Sequence, residues 1–246
     1  MRWRARVAYD GSEFVGWQTQ SGNGRTVQEE LEKALSTVLR GAIRVRGSGR
    51  TDTGVHARGQ VVAFDSDTKI DDPRRTAYSL NSILPRSIVI SEIESVSADF
   101  DPRRDAVHRT YRYRILNVET PSPFEVNRAW HVREFLDLDA MRTAADQILG
   151  HHDFASFQTS DNIDRPSERD VLSASVAREG DIVTFEITAN AFCRGMVRNL
   201  AGQLVEIGRG RAPAEGMSVL LAACDRGKAA AAAPPHGLYL EEVSYG

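Results

Sequence analysis

Residues 46–64 read RGSGRTDTGVHARGQVVAF. The apolar positions Ile43 and Val45 lead into this stretch as a strand would, and the run Val61 to Phe64 leads out of it. Between them, glycines at 47, 49, 54 and 59 mark a tight, shaped turn, because glycine takes up positive φ or a close backbone approach without steric cost. Asp52 stands at its crown among Arg50, His56 and Arg58, and the stretch holds no other carboxylate. A carboxylate beside cations is expected to stay ionised, since a nearby opposite charge favours the charged form. Two other readings stay open on the local pattern. An Asp in such a turn commonly hydrogen-bonds its own backbone, and a Gly-rich segment can present amides to a phosphate. The P-loop form of the second fails, because Gly-Lys-Ser/Thr is absent.

Working outward, Arg2 to Tyr9 alternates as a half-buried strand requires, with Arg2, Arg4 and Arg6 on one face and Trp3, Ala5, Val7 and Tyr9 on the other. A loop rich in Gly, Ser and Gln follows, from Asp10-Gly11 to Ser21-Gly22-Asn23-Gly24. Thr26 with Glu29 three residues on is a capping-box signature, and Val27, Leu31, Ala34, Leu35, Val38 and Leu39 form the apolar stripe of a helix closed by Gly41. Asp71-Asp72-Pro73 starts a second helix reaching about Asn81, and Ser87 to Val96 reads as a strand. The order β-α-β-β-α-β is a split βαβ unit, and this half ends near Pro102.

The second half opens with His108-Arg109-Thr110-Tyr111-Arg112-Tyr113-Arg114-Ile115, where Arg109, Tyr111, Tyr113 and Ile115 share one face of a strand. An aromatic face flanked by arginines suits base stacking and phosphate contact; two core tyrosines with satisfied hydroxyls fit the pattern equally well. Helices are predicted over Leu138 to Leu149, capped by Gly150, over Phe192 to Ile207, and over Pro213 to Ala223. Asp170 to Ala177 and Ile182 to Ala189 make a strand pair, and 160–169 reads as an exposed loop. In the helix from Phe192, Arg194 and Arg198 stand one turn apart at the edge of the apolar arc. Such side chains enter a cleft or snorkel past the core. Lys228 and five alanines form a connector to His236-Gly237-Leu238-Tyr239-Leu240.

Composition bounds the rest. With 41% hydrophobic and 26% charged residues the chain is ordinary for a globular protein, and no apolar run approaches the roughly eighteen residues of a membrane span. No signal peptide is visible, so a cytoplasmic location is expected. Cys193 and Cys224 lie outside any metal or disulfide spacing and read as small core residues. His151-His152-Asp153 lacks further ligands at a useful spacing, so no metal is expected there. The net charge is −3, yet residues 1–64 carry nine Arg and one Lys against six acids, which leaves room for an anion-binding surface.

Five segments carry a family resemblance that runs from the first strand to the last. GRTDTGVHARGQVV, containing Asp52, closely resembles the active-site segment of the TruA family of tRNA pseudouridine synthases; RTYRYRI, HDFxSF from His152, MVRNLAG at 196–202 and the closing HGLYL resemble further family segments. The resemblance implies an α+β fold of two ferredoxin-like halves, 1–105 and 106–246, whose antiparallel sheets meet at a central catalytic cleft. It also implies a homodimer that isomerises uridine to pseudouridine at positions 38 to 40 of the tRNA anticodon arm, without metal or cofactor. Asp52 is the implied nucleophile, Tyr111 the ring against the target base, and Arg50 and Arg198 the cations that fix the carboxylate and hold the nucleotide. Two rivals remain: a non-catalytic RNA-binding module of the same fold, and a nucleoside or glycoside hydrolase. The hydrolase ordinarily needs two carboxylates where this loop offers one.

Overall fold

The computed structural model describes residues 1–19, 24–159 and 166–246; positions 20–23 of the expected first loop and 160–165 of the expected polar loop lie outside the described residues. The architecture is mixed α+β with mostly antiparallel sheet, and contacts divide the chain into two compact units, Met1–Val107 with Tyr239–Gly246, and His108–Leu238.

In the first unit, β1 (Arg2–Tyr9) buries Trp3, Ala5, Val7 and Tyr9 and turns its arginines outward, as its alternation predicts. It pairs antiparallel with β3 (His56–Asp65) on one side and with β4 (Ile88–Ser95) on the other, while the short β2 (Val45–Gly47) pairs antiparallel with β3. The last strand, β10 (Leu238–Tyr245), lies parallel to β3 with Tyr239 opposite His56. Helix α1 (Val27–Leu39) begins where Thr26 accepts the Glu29 amide at 3.3 Å, and α2 (Pro73–Ile83) where Asp72 accepts the Arg75 amide at 3.0 Å. Two expectations change here. The left-handed residue that ends α1 is Arg40 (φ 54°), not Gly41. Strand β3 already starts at His56, so His56, Arg58 and Gly59 belong to it and the loop proper is 48–55. Gly59 is there for close approach, since a Cβ would lie 2.3 Å from the Glu241 carbonyl oxygen of β10.

Asp101 closes this unit's core edge. Burial alone would raise its pKa, but the amides of Arg104 and Arg103, at 3.1 and 2.9 Å, and the Arg46 guanidinium at 2.5 Å outweigh burial and bring it from 3.8 down to about 2. A depressed carboxylate pKa adds stability that is complete above the unfolded value and lost as pH falls through the folded one. Asp101→Asn is therefore expected to cost about 1–2 kcal/mol at neutral pH. In urea titrations the gap to wild type should close between pH 4 and 2; a gap that persists at the acid end contradicts the assignment.

In the second unit, β5 (Ala106–Leu116) pairs antiparallel with β9 (Ile182–Ala189), β9 with β8 (Glu168–Glu179), and β8 with β7 (Gly150–Asp153); β6 (Trp130–His131) lies parallel to β5. Helices α3 (Leu138–Asp146), α4 (Met196–Gly208) and α5 (Gly216–Ala223) accompany them. The predicted helix from Phe192 thus starts four residues later. Gly195 sits in the left-handed region (φ 75°) and breaks the pattern, which puts Arg194 before the helix and removes its one-turn relation to Arg198. Helix α3 likewise stops at Asp146, and 150–153 is a strand that the two histidines hid. Cys193 is buried as expected, but Cys224 is exposed, because it is the left-handed residue (φ 46°) that ends α5.

Candidate active site

The loop 48–55 is tied down at nearly every residue. On the ascending limb, the Ser48 amide donates to the Val61 carbonyl at 2.8 Å and its hydroxyl to Gln60 Oε1 at 2.7 Å, while Gln60 Nε2 donates to the Gly49 carbonyl at 3.0 Å. At the crown, the Thr51 hydroxyl meets the Tyr9 hydroxyl at 2.8 Å, and the Thr51 carbonyl accepts the Trp17 amide at 3.1 Å. The Asp52 carbonyl then accepts the Val55 amide at 3.1 Å, closing a four-residue turn whose third residue, Gly54, has φ 76°. That is the type II pattern, which asks for glycine at this position. Thr53 donates to the Val15 carbonyl at 3.0 Å. A half-buried Asp52 side chain is thereby held on a backbone with little freedom to move.

Gln60 does not stand out in the sequence as a site residue; the available signal is a lone amide directly before the apolar run Val61 to Phe64. Its side chain is fully buried and both of its polar ends are used on the loop. Gln60→Leu should destabilise the protein by about 1–3 kcal/mol, because the Ser48 hydroxyl and Gly49 carbonyl lose their partners in a dry site. Equilibrium denaturation measures this, and an unchanged midpoint would remove Gln60 from the account.

The basic side chains of 46–64 that surround Asp52 in the sequence take different places. Arg50 is exposed and makes no hydrogen bond or ion pair among the described residues, Asp52 included. Arg58 lies over the Tyr239 ring, 5.3 Å from its centroid. His56 is buried, stacked on Tyr239 at 4.6 Å, and its Nδ1 accepts the Gly11 amide at 3.0 Å. That bond puts the ring proton on Nε2, so the Asp10 carboxylate, 3.3 Å from the same Nδ1, meets no proton there.

In the second unit the tyrosine pair divides. Tyr113 is fully buried and donates its hydroxyl to the Pro234 carbonyl at 2.7 Å; burial pushes its pKa up, against the pull of the Arg198 cation. Tyr111, on the same face, is only half-buried, and its ring meets Phe192 edge-on at 4.9 Å. One tyrosine is core and the other is presented. Arg198 is half-buried on the first turn of α4, with its Nε donating to the Ala233 carbonyl at 2.9 Å. Arg194 is exposed. Behind them, buried Asn199 donates to the Phe157 carbonyl at 2.6 Å and accepts from Arg226 at 3.0 Å, so the HDFxSF segment anchors α4. Asp170, at 2.8 Å, raises the pKa of exposed His151. Among the described residues, no group of three or more His, Cys, Asp or Glu side chains is arranged to hold a metal ion.

The structure therefore sets Arg50 and Asp52 on one loop of the first unit, and Tyr111 on β5 and Arg198 on α4 of the second. A family model described as tRNA pseudouridine synthase matches residues 5–103 and 144–246, which include Asp52 and Arg198 but not Tyr111. Similarity to individual relatives spans nearly the whole chain. The tRNA pseudouridine synthase A of Myxococcus xanthus is 42% identical over 245 residues, 99% of this chain and 92% of its own. That of Halalkalibacterium halodurans is 46% identical over 235 residues, 95% of this chain and 88% of its own. The Sinorhizobium medicae protein of the same name is 40% identical over 247 residues and 99% of both.

Proposed function

This chain belongs to the tRNA pseudouridine synthase family, and from that premise we propose that it isomerises uridine to pseudouridine at positions 38 to 40 of the tRNA anticodon arm, with Asp52 as the reacting group. The observation that carries the reading is the Asp52 loop: one carboxylate on a backbone braced by Tyr9, Trp17, Gln60 and the Gly54 turn. Catalysis by a positioned group depends on such fixity.

The reaction breaks the bond between N1 of uracil and C1′ of ribose, turns the base, and joins C5 to C1′; the C5 proton is released and N1 gains one. Neither electrons nor water enter the balance, so a carboxylate suffices without metal or cofactor. Asp52 assists by attack on the base, by attack on the sugar carbon, or by accepting a ribose proton on a glycal route. Reaching a stacked uridine requires flipping it out, at a cost of about a few kcal/mol. Tyr111 stacks on the extruded base, Arg198 holds the nucleotide, and Arg50 takes a phosphate, a role that its exposed side chain supports.

In this reading residues 1–105 and 106–246 are two ferredoxin-like halves, the last strand, β10, joining the sheet of the first beside β3; the strand order β4-β1-β3-β2 with antiparallel neighbours supports the first half. The enzyme works as a cytoplasmic homodimer whose second subunit grips the RNA. Nucleoside analysis of an anticodon-arm transcript incubated with the protein tests the proposal: pseudouridine at these positions supports it, and free uracil as product overturns it in favour of hydrolysis.

A further inference from the structure

The run of alanines after Lys228, which reads as a plain connector, lies as a strap along helix α4. Three hydrogen bonds tie it to the helix. The Ala230 amide donates to Gln203 Oε1 at 2.9 Å, and the Ala233 amide donates to the Arg198 carbonyl at 2.9 Å. Arg198 Nε returns a hydrogen bond to the Ala233 carbonyl at 2.9 Å. Between these anchors the strap passes so close to α4 that a Cβ on Gly202 would stand 2.1 Å from the Ala231 carbonyl oxygen. A glycine inside a helix is otherwise unfavourable, and this approach accounts for it. The Tyr113 hydroxyl holds the next residue, Pro234.

We propose that the strap 229–233 is a positioning element that aims the Arg198 guanidinium at the substrate nucleotide, with Gly202 and Gln203 as the positioning residues that seat it. The inference rests on the role of Arg198 given above. Its physical basis is the planar fork of arginine: Nε–H lies in the guanidinium plane, so a bond from Nε to a fixed carbonyl restricts that plane and with it the directions of both Nη groups. The fixed carbonyl is that of Ala233, which is itself held because its amide is tied to the backbone of the same arginine. A lysine has no Nε–H fork and would keep the charge without the aim.

A double-mutant cycle tests this. Gly202→Ala pushes the strap away, and kcat should fall about 10- to 100-fold, the scale of a small misplacement of a positioned group. KM for tRNA should stay within about threefold, since aim rather than uniform binding is lost. Because Gly202→Ala risks misfolding, Gln203→Ala is run beside it; it removes the Ala230 anchor without a clash and should give the same kcat-against-KM split more weakly. Arg198→Lys should resemble Arg198→Ala. In the Arg198→Ala background, neither Gly202→Ala nor Gln203→Ala should cost anything further. Equal losses in both backgrounds would overturn the strap's role and leave that of Arg198 standing. Wild-type turnover by Arg198→Ala would instead remove the role of Arg198 and the strap's with it.

Discussion

Asp52→Asn is expected to lower turnover by at least about 10,000-fold, the scale seen when a reacting side chain is removed from an otherwise intact site. The substitution keeps the shape and a hydrogen-bonding amide, and the main-chain bond from Val55 to the Asp52 carbonyl is untouched, so the turn should persist. What disappears is the negative oxygen that attacks or takes a proton. Affinity for tRNA should stay within about threefold, because binding depends on phosphates and stacked bases rather than on this carboxylate. Denaturation curves that overlay wild type would exclude unfolding as the cause.

Tyr111→Ala carries the second large effect. Stacking on an aromatic ring returns about 1–3 kcal/mol per base, so its loss should reduce kcat/KM by about 5- to 150-fold. Tyr111→Phe keeps the ring and its edge-on contact with Phe192, and should stay within about threefold of wild type. Steady-state rates on an anticodon-arm transcript compare the two. Equal losses in Phe and Ala variants would shift the role from the ring to the hydroxyl. The same pair at Tyr113 should behave differently, since that hydroxyl serves Pro234 inside the core and its loss registers as stability.

Much of this was legible in the residues. Alternation from Arg2 to Tyr9 placed β1 and its faces, and Thr26 and Asp72 announced their helices, because caps and period-two patterns are local. Asp52 and its glycines marked a loop for the same reason. What stayed hidden depends on partners distant in sequence. Tyr111 and Tyr113 share a strand face and a pattern, and what puts Tyr113 in the core is Pro234 and Gly237, which close over the end of its ring. The alanine strap carries no periodicity of its own; Gly202 makes sense only beside Ala231. His56 looked like a member of a reactive loop, yet its stacking on Tyr239 and its bond from Gly11 place it in the core of the first unit. Helix α4 starts later than its apolar pattern, which continues back through Phe192, because the backbone turns left-handed at Gly195.

The central claim is that Asp52 drives isomerisation of uridine in tRNA. Its most direct test is release of tritium from 5-tritiated uridine in an anticodon-arm tRNA transcript, with wild type and Asp52→Asn side by side and binding followed in both. The account predicts release by wild type alone, with the transcript bound by both proteins. Release by Asp52→Asn at a comparable rate would contradict the role of Asp52, and binding without release by either protein would contradict catalysis altogether, leaving an RNA-binding module.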